Sequence, residues 1–156
     1  MPVEIERKFL VTSEDWRQAA TGPAIRMRQG YVAAGGSMTV RVRLEGERGV
    51  LTLKGPGLTA RAEFEYTIPA EDAEALLAGH CAAPLIEKHR TRVAHAGLVW
   101  EVDEFAGHLA GLVMAEVELD AADQEVALPG WTGREVSGDP RFQNANLARA
   151  AGIPEL

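Results

Sequence analysis

Residues 3–11 read VEIERKFLV, so Glu4, Glu6 and Lys8 alternate with Ile5, Arg7 and Phe9. On a β-strand, side chains two apart project from the same face. A strand here stands two carboxylates and an ammonium in one row, with Ile5 and Phe9 behind them. Taken alone the row is ordinary, because a sheet with one face on a core and one in water alternates in this way. Charge pairs across its strands would be surface contacts of about 0.2–1 kcal/mol each.

The same period recurs in MTVRVRLE (38–45), GVLTLKG (49–55), RAEFEYTIP (61–69), LIEKHRTRV (85–93), LVWEVDEFAG (98–107) and LVMAEVELD (112–120). QGYVA (29–33) supplies one more segment. Gly35-Gly36, Gly46, Gly55-Pro56-Gly57, Gly97 and Gly107 punctuate the strands as turns. Helical signals are fewer. Thr12 with Asp15 reads as a capping box before SEDWRQAA, and EDAEALLA (71–78) ends at Gly79 as a C′ glycine. Asp139-Pro140 opens a helix predicted to run through Ala151 and close at Gly152. The expectation is an α+β, mainly antiparallel β architecture of about eight strands with a few helices.

The 156 residues fit one domain, 1–156, and are enough to bury a core. A formal charge of −7 argues against a broad basic surface for nucleic acid, though not against a local basic cavity. Cys81 is the only cysteine, which excludes an intramolecular disulfide and a multi-cysteine metal site. The N-terminus is polar from residue 4, and no apolar run approaches the roughly 18 residues of a membrane span. The expected location is the cytoplasm, without membrane attachment.

Applied to every strand, the alternation sorts the charges. One face collects Glu4, Glu6, Lys8, Arg41, Arg43, Thr52, Lys54, Glu63, Glu65, Lys88, Arg90, Arg92, Glu101, Asp103, Glu116 and Glu118. The other collects apolar residues such as Phe9, Val42, Leu44, Leu53, Phe64, Trp100, Val102 and Val117, interrupted by Arg7, Glu87, His89 and Glu104. A solvated sheet face mixes Thr, Ser, Lys, Glu and Gln, whereas this one is almost wholly ionic. Arginine suits bidentate contact with phosphate oxygens, and carboxylates suit a hard divalent cation. A surface carrying both suits a polyanion together with its metal ions. If the sheet curls so that this face is the inside, helices must cover the apolar outside.

These segments, in this order, resemble the CYTH family of triphosphate tunnel metalloenzymes. Glu4-Ile5-Glu6-Arg7-Lys8 matches its E-x-E-x-K signature. VRVR (40–43), TLK (52–54), EFEY (63–66), EKHR (87–90), EVDEF (101–105), AEVEL (115–119) and WTGREVSGDPRFQNANLA (131–148) follow as in that family. The resemblance covers essentially the whole chain and is strongest to short bacterial members that hydrolyse inorganic tripolyphosphate.

The resemblance implies a closed eight-stranded antiparallel barrel with a hydrophilic tunnel and helices outside. It implies that Lys8, Arg41, Arg43, Lys54, Lys88, Arg90 and Arg92 hold the triphosphate. Glu4, Glu6, Glu63, Glu65, Asp103, Glu116 and Glu118 would form the acidic set for one or two Mg²⁺ or Mn²⁺ ions, not all of them as direct ligands. Lys88, crowded by Arg90 and Lys8, is expected to have a lowered pKa and to assist the attacking water, with Lys8 beside it and Tyr31 accepting or relaying the proton. A homodimer is common among similar proteins.

Adenylate cyclases and thiamine triphosphatases share the fold, so ATP or another nucleoside triphosphate is the competing substrate, but no adenine-stacking cluster appears among the strand motifs. A non-catalytic polyphosphate- or nucleotide-binding module would not need so many carboxylates. His80, His89, His95 and His108 lack metal-ligand spacing. Trp16, Trp100 and Trp131 read as packing between helices and the barrel exterior. Gly55-Pro56-Gly57 reads as a plain turn.

Overall fold

The structure, a computed structural model, describes residues 2–34 and 36–156, apart from the side chain of Ala83. Strands form where the period-two alternation runs. They are β1 (Val3–Val11), β2 (Ile25–Ala33), β3 (Thr39–Glu45), β4 (Arg48–Lys54), β5 (Ala60–Ile68), β6 (Ala82–His95), β7 (Leu98–Phe105), β8 (Val113–Glu118) and β9 (Thr132–Glu135). Two α-helices, α1 (Ala70–Gly79) and α2 (Asn144–Arg149), join them.

The antiparallel order β5-β4-β3-β2-β6-β7-β8-β1 closes because β1 also pairs with β5. This is the closed eight-stranded barrel that the family resemblance implies. β1 makes the closure possible by dividing one edge between two partners. Its first residues, Val3–Ile5, pair with Ala62–Ala60 of β5, while Phe9 and Val11 pair with Glu135 and Thr132 of the extra strand β9. Its other edge runs along β8, with Glu6 opposite Glu118 and Lys8 opposite Glu116.

The apolar exterior is covered in two places. Trp100 packs between Phe9 and Trp131, at ring-centroid distances of 5.5 and 5.7 Å, with Trp16 in the same buried cluster. Ala73 and Leu77 of α1 cover Val42 and Leu44. Phe142, Leu147 and Ala148 of the C-terminal segment close one end of the barrel instead, packing on Ile86, Phe105 and Met114, which stand in the inward rows of Lys88, Asp103 and Glu116. The polar residues that interrupt the apolar face are surface pairs: Arg7 with Glu135, Arg26 with Glu87, and Arg17 with Glu104.

Four local expectations are corrected. SEDWRQAA forms only a 3₁₀ turn, Asp15–Ala19, without a side-chain cap, because Thr12 Oγ1 donates to Trp131 O instead. Gly79 is the last residue of α1 rather than a left-handed C′ position, and the N–H of His80 caps Leu76 O. The helix predicted from Pro140 breaks into a 3₁₀ turn, Pro140–Phe142, and α2, because Gln143 is extended (φ −68°, ψ 136°). Its Asp139 cap does form, with Oδ1 accepting from Arg141 N. β2 begins at Ile25, four residues before the segment read as a strand. Of the Gly35-Gly36 turn, Gly35 lies outside the described residues, and Gly36 has φ +66°.

Among the described residues no helix is long and apolar enough to cross a membrane.

Candidate active site

The inward rows of the barrel enclose a cavity of about 230 Å³. Every residue of the expected site lines it except Asp103. The placement follows from register. Arg43 stands beside Gln29 on β2, Arg41 beside Thr52 on β4, Lys54 beside Glu63 on β5, and Arg90 beside Asp103 on β7.

Lys8, Arg41, Arg43, Lys54, Lys88 and Arg90 are all buried. Burying an unpaired charge costs several kcal/mol, so partners matter. Lys54 Nζ lies 2.9 Å from Glu4 and 3.7 Å from Glu63. Lys8 Nζ lies 3.6 Å from Glu6 and 3.9 Å from Glu116. Arg43 donates to Gln29 Oε1 at 2.8 Å and pairs with Glu45 at 3.3 Å. Arg41 is different. Its Nη2 donates to Thr52 Oγ1, its Nε is buried with no hydrogen-bond partner, and among the described residues it has no carboxylate partner. A buried donor left open in this way is a seat for an anionic oxygen. Arg92 is largely exposed at the edge of the cavity, 3.9 Å from Glu101.

The carboxylates are crowded. Burial, the charge of Glu116 and the neighbouring Glu4 push Glu6 up to about 7 against the pull of Lys8. Burial and a hydrogen bond with Glu4 push Glu63 up to about 8. Burial also works against Glu4, but that hydrogen bond and the Lys54 ammonium outweigh it and hold Glu4 at about 2. Glu116 stays ionised because Lys8, Arg90 and Lys88 outweigh its burial. Glu118 is raised by burial and by the charges of Glu4 and Glu101. Glu63 Oε2 is buried without a hydrogen-bond partner. Carboxyl groups crowded until two of them keep protons they would ordinarily lose, one with an unbonded oxygen, fit a divalent cation that would take the place of those protons. Among the described residues, no three His, Cys, Asp or Glu side chains form a preassembled metal cluster. Glu65 and Glu118 are exposed at the cavity edge.

Asp103 departs from expectation. It is 1% exposed, takes a bidentate pair from Arg90 at 2.7 and 2.8 Å, and lies 2.8 Å from Lys88 Nζ. Its oxygens are turned to cations of the barrel wall, not to the cavity. Lys88 is itself 1% exposed. Burial is the main force lowering its pKa to about 7; Asp103 opposes this, and Arg90 and Arg43 add to it. The expected partner in that crowding, Lys8, faces Glu6 and Glu116 instead.

Sequence reasoning missed the contribution of Gln143, Asn144 and Ala145, which complete the lining from the C-terminal segment. Gln143 Nε2 donates to Gly57 O, tying that segment to the Gly55-Pro56-Gly57 turn. Asn144 Oδ1 accepts from Lys88 Nζ at 2.9 Å and from Gln29 Nε2 at 3.2 Å. Glu101 was legible, two residues from Asp103 on the same face. Arg141 pairs with Asp139 and donates to Glu155 O, so this pair fastens the chain end and does not enter the cavity. His89 is exposed, and His108 Nε2 contacts Leu147 O.

A closed antiparallel barrel with cations and carboxylates buried together inside it defines a class of protein that encloses a small polyanion. The chain belongs to the CYTH domain family, whose pattern matches residues 2–150. It is 43% identical over 150 residues to an inorganic triphosphatase of Acetivibrio thermocellus, covering 96% of this chain and 95% of that protein. It is 35% identical over 153 residues to an inorganic triphosphatase of Nitrosomonas europaea, covering 93% and 96%. A crystal structure of an inorganic triphosphatase superposes with a TM-score of 0.67 at 35% identity, over 97% of this chain and all of that one.

Proposed function

We propose that this protein is an inorganic triphosphatase, acting as a single domain in the cytoplasm and hydrolysing tripolyphosphate to diphosphate and phosphate. The observation that carries this reading is the burial of six cations with a crowded carboxylate cluster inside one closed barrel. Arg41, Arg43, Lys54, Lys8 and Arg90 bind the phosphate oxygens, and Arg41, whose Nε finds no partner in the barrel wall, is the least committed of them. Arg92 extends the set at the cavity edge. Glu4, Glu6, Glu63 and Glu116, with Glu65 and Glu118 farther out, hold Mg²⁺ or Mn²⁺, which when bound neutralises phosphate charge.

Lys88 holds the proton that water must lose. With its pKa near 7, a substantial fraction is neutral amine at neutral pH. Water oxygen bonds to a terminal phosphorus, its proton passes to Lys88 Nζ, the bridging P–O bond breaks, and diphosphate leaves. Lys8, Arg41 and Arg43 stabilise the charge on the transferring group. Tyr31 lines the same cavity and serves as relay. Among the described lining residues it is the only aromatic, which favours a bare triphosphate over a substrate with a stacked base.

Asp103 acts as counter-ion to Arg90 and Lys88. Asp103→Ala takes the bidentate partner from Arg90, leaving it Glu101 and Glu116, and the nearest carboxylate from buried Lys88, and is expected to destabilise the protein by about 3 kcal/mol. A thermal melt checks this; a melting temperature unchanged from wild type, with an altered metal requirement, would return Asp103 to the metal set.

Phosphate release from tripolyphosphate, ATP, thiamine triphosphate and diphosphate, with Mg²⁺, with Mn²⁺ and after chelation, tests the assignment. Metal-dependent release from tripolyphosphate above all others is expected. Preference for ATP or thiamine triphosphate would move the substrate to an organic triphosphate. Tight binding of tripolyphosphate with no release would make the protein a binding module.

A further inference from the structure

Gln29 is fully buried on β2, and nothing in the proposed chemistry above uses it. Its hydrogen bonds have a forced direction. A guanidinium only donates, so Arg43 Nε at 2.8 Å fixes Gln29 Oε1 as acceptor. Gln29 Nε2 is then turned to Tyr31 Oη at 3.3 Å and Asn144 Oδ1 at 3.2 Å, as donor to both. That in turn fixes the amide of Asn144: its oxygen, not its nitrogen, faces Gln29, and the same oxygen accepts from Lys88 Nζ at 2.9 Å.

Lys88 sits between two wall acceptors. Asp103 lies 2.8 Å away but is already gripped by both arms of Arg90, and it holds the ammonium by charge. Among the described residues, Asn144 is the one side chain to which Lys88 makes a hydrogen bond. One of the three positions around Nζ is taken by Asn144, and Asp103 stands beside it as an ion-pair partner at 2.8 Å, so a position remains for the cavity that Lys88 lines. That position carries a proton in the ammonium and a lone pair in the amine.

We propose that Asn144, held in one orientation by Gln29 and Arg43, is a positioning residue that aims the exchanging position of Lys88 into the cavity. The same chain of amides couples phosphate-binding Arg43 to Lys88. Tyr31 is included, because a phenol oxygen that accepts from Gln29 keeps its own proton free to donate elsewhere. The break in the C-terminal helix at Gln143 has a purpose on this account: it carries Asn144 into the cavity wall. The inference rests on the triphosphatase reading and adds residues outside the charged set.

Kinetics of Asn144→Ala, Asn144→Asp and Gln29→Glu against wild type, with tripolyphosphate and saturating Mg²⁺ across about pH 6 to 10, test it. Asn144→Ala removes the acceptor and is expected to lower kcat about 10- to 100-fold with KM within about threefold of wild type. Asn144→Asp keeps an acceptor against Lys88. It should restore kcat at its plateau to within about threefold, with the rising limb moved to higher pH by the added negative charge beside Lys88. Gln29→Glu keeps the Arg43 contact but removes the donor to Asn144, so the Asn144 amide turns and kcat falls as in Asn144→Ala.

Wild-type turnover in Asn144→Ala, or a kcat lost equally in Asn144→Asp at every pH, would overturn the positioning role while leaving the triphosphatase reading intact. A wild-type protein inactive on tripolyphosphate would overturn both.

Discussion

Replacing Lys88 with arginine will lower kcat on tripolyphosphate by about 10²–10⁴-fold, the usual contribution of a positioned general base. The substitution keeps a positive charge beside Asp103, so phosphate binding and folding are preserved better than in Lys88→Ala. It removes the function of the amine, because a guanidinium stays protonated at every working pH. Burial, with Arg90 and Arg43 adding to it, lowers Lys88 to about 7, so the neutral amine grows tenfold per pH unit below that value and levels off above it. At saturating metal, wild-type kcat should rise with unit slope to a midpoint near 7, and Lys88→Arg should lose that step. Saturating metal matters because Glu6 and Glu63, raised to about 7 and 8 by burial and by their carboxylate neighbours, titrate nearby unless a cation holds them ionised. A Lys88→Arg variant with wild-type kcat and the same rising limb would remove Lys88 from proton transfer.

The second large effect is expected at the start of β1. Glu4→Gln and Lys8→Ala should each reduce turnover by about 10²–10³-fold, the scale for losing one preorganised electrostatic contact at a transferring group. They should fail in different ways. Glu4 is paired with Lys54 and hydrogen-bonded with Glu63 in the crowded acidic corner. Its neutral isostere weakens cation binding, so activity should climb again as Mg²⁺ is raised. Lys8 faces Glu6 and Glu116, and its removal leaves two carboxylates without their nearest cation. Raising tripolyphosphate, not metal, should then recover part of the rate. Circular dichroism and thermal melts check that both variants keep the barrel. Full activity in either would remove the β1 row from the site.

Much of this was legible in the chain because a barrel strand buried on both faces still alternates by chemistry. Glu4, Glu6 and Lys8 face inward and Ile5 and Phe9 outward, as the period of two demands. What the period cannot supply is register. Whether Asp103 meets a cavity or an arginine is decided by which residue of β6 lies across from it, and Arg90 does. The first half of β2 was hidden for a different reason. In IRMR the arginines point out, to Glu87 and Glu74, while Met27 points in, inverting the charge rule that located the other strands. β9 is four residues, TGRE, without an apolar alternation to mark it. Asn144 and Gln143 lay inside a segment that reads as helix, and only the extended backbone at Gln143 brings them to the cavity.

Lys88 shows the same division. Its lowered pKa was expected from like charges, but burial dominates, and burial depends on Phe105, 5.3 Å from Nζ, and on the C-terminal segment. Six cations and their carboxylates inside one small barrel are a poor way to stabilise a fold, since hydrophobic replacements of buried ion pairs are often neutral or stabilising. Their presence makes sense as a preorganised site for a highly charged ligand.

Hydrolysis of inorganic tripolyphosphate in this interior is read most directly from its products. Phosphorus-31 NMR of tripolyphosphate incubated with the protein and Mg²⁺ tests it directly. Equal growth of diphosphate and phosphate signals at the expense of tripolyphosphate is expected, stopped by EDTA and absent with Lys88→Arg over the same interval. Tripolyphosphate signals unchanged with Mg²⁺ or Mn²⁺ present would contradict it.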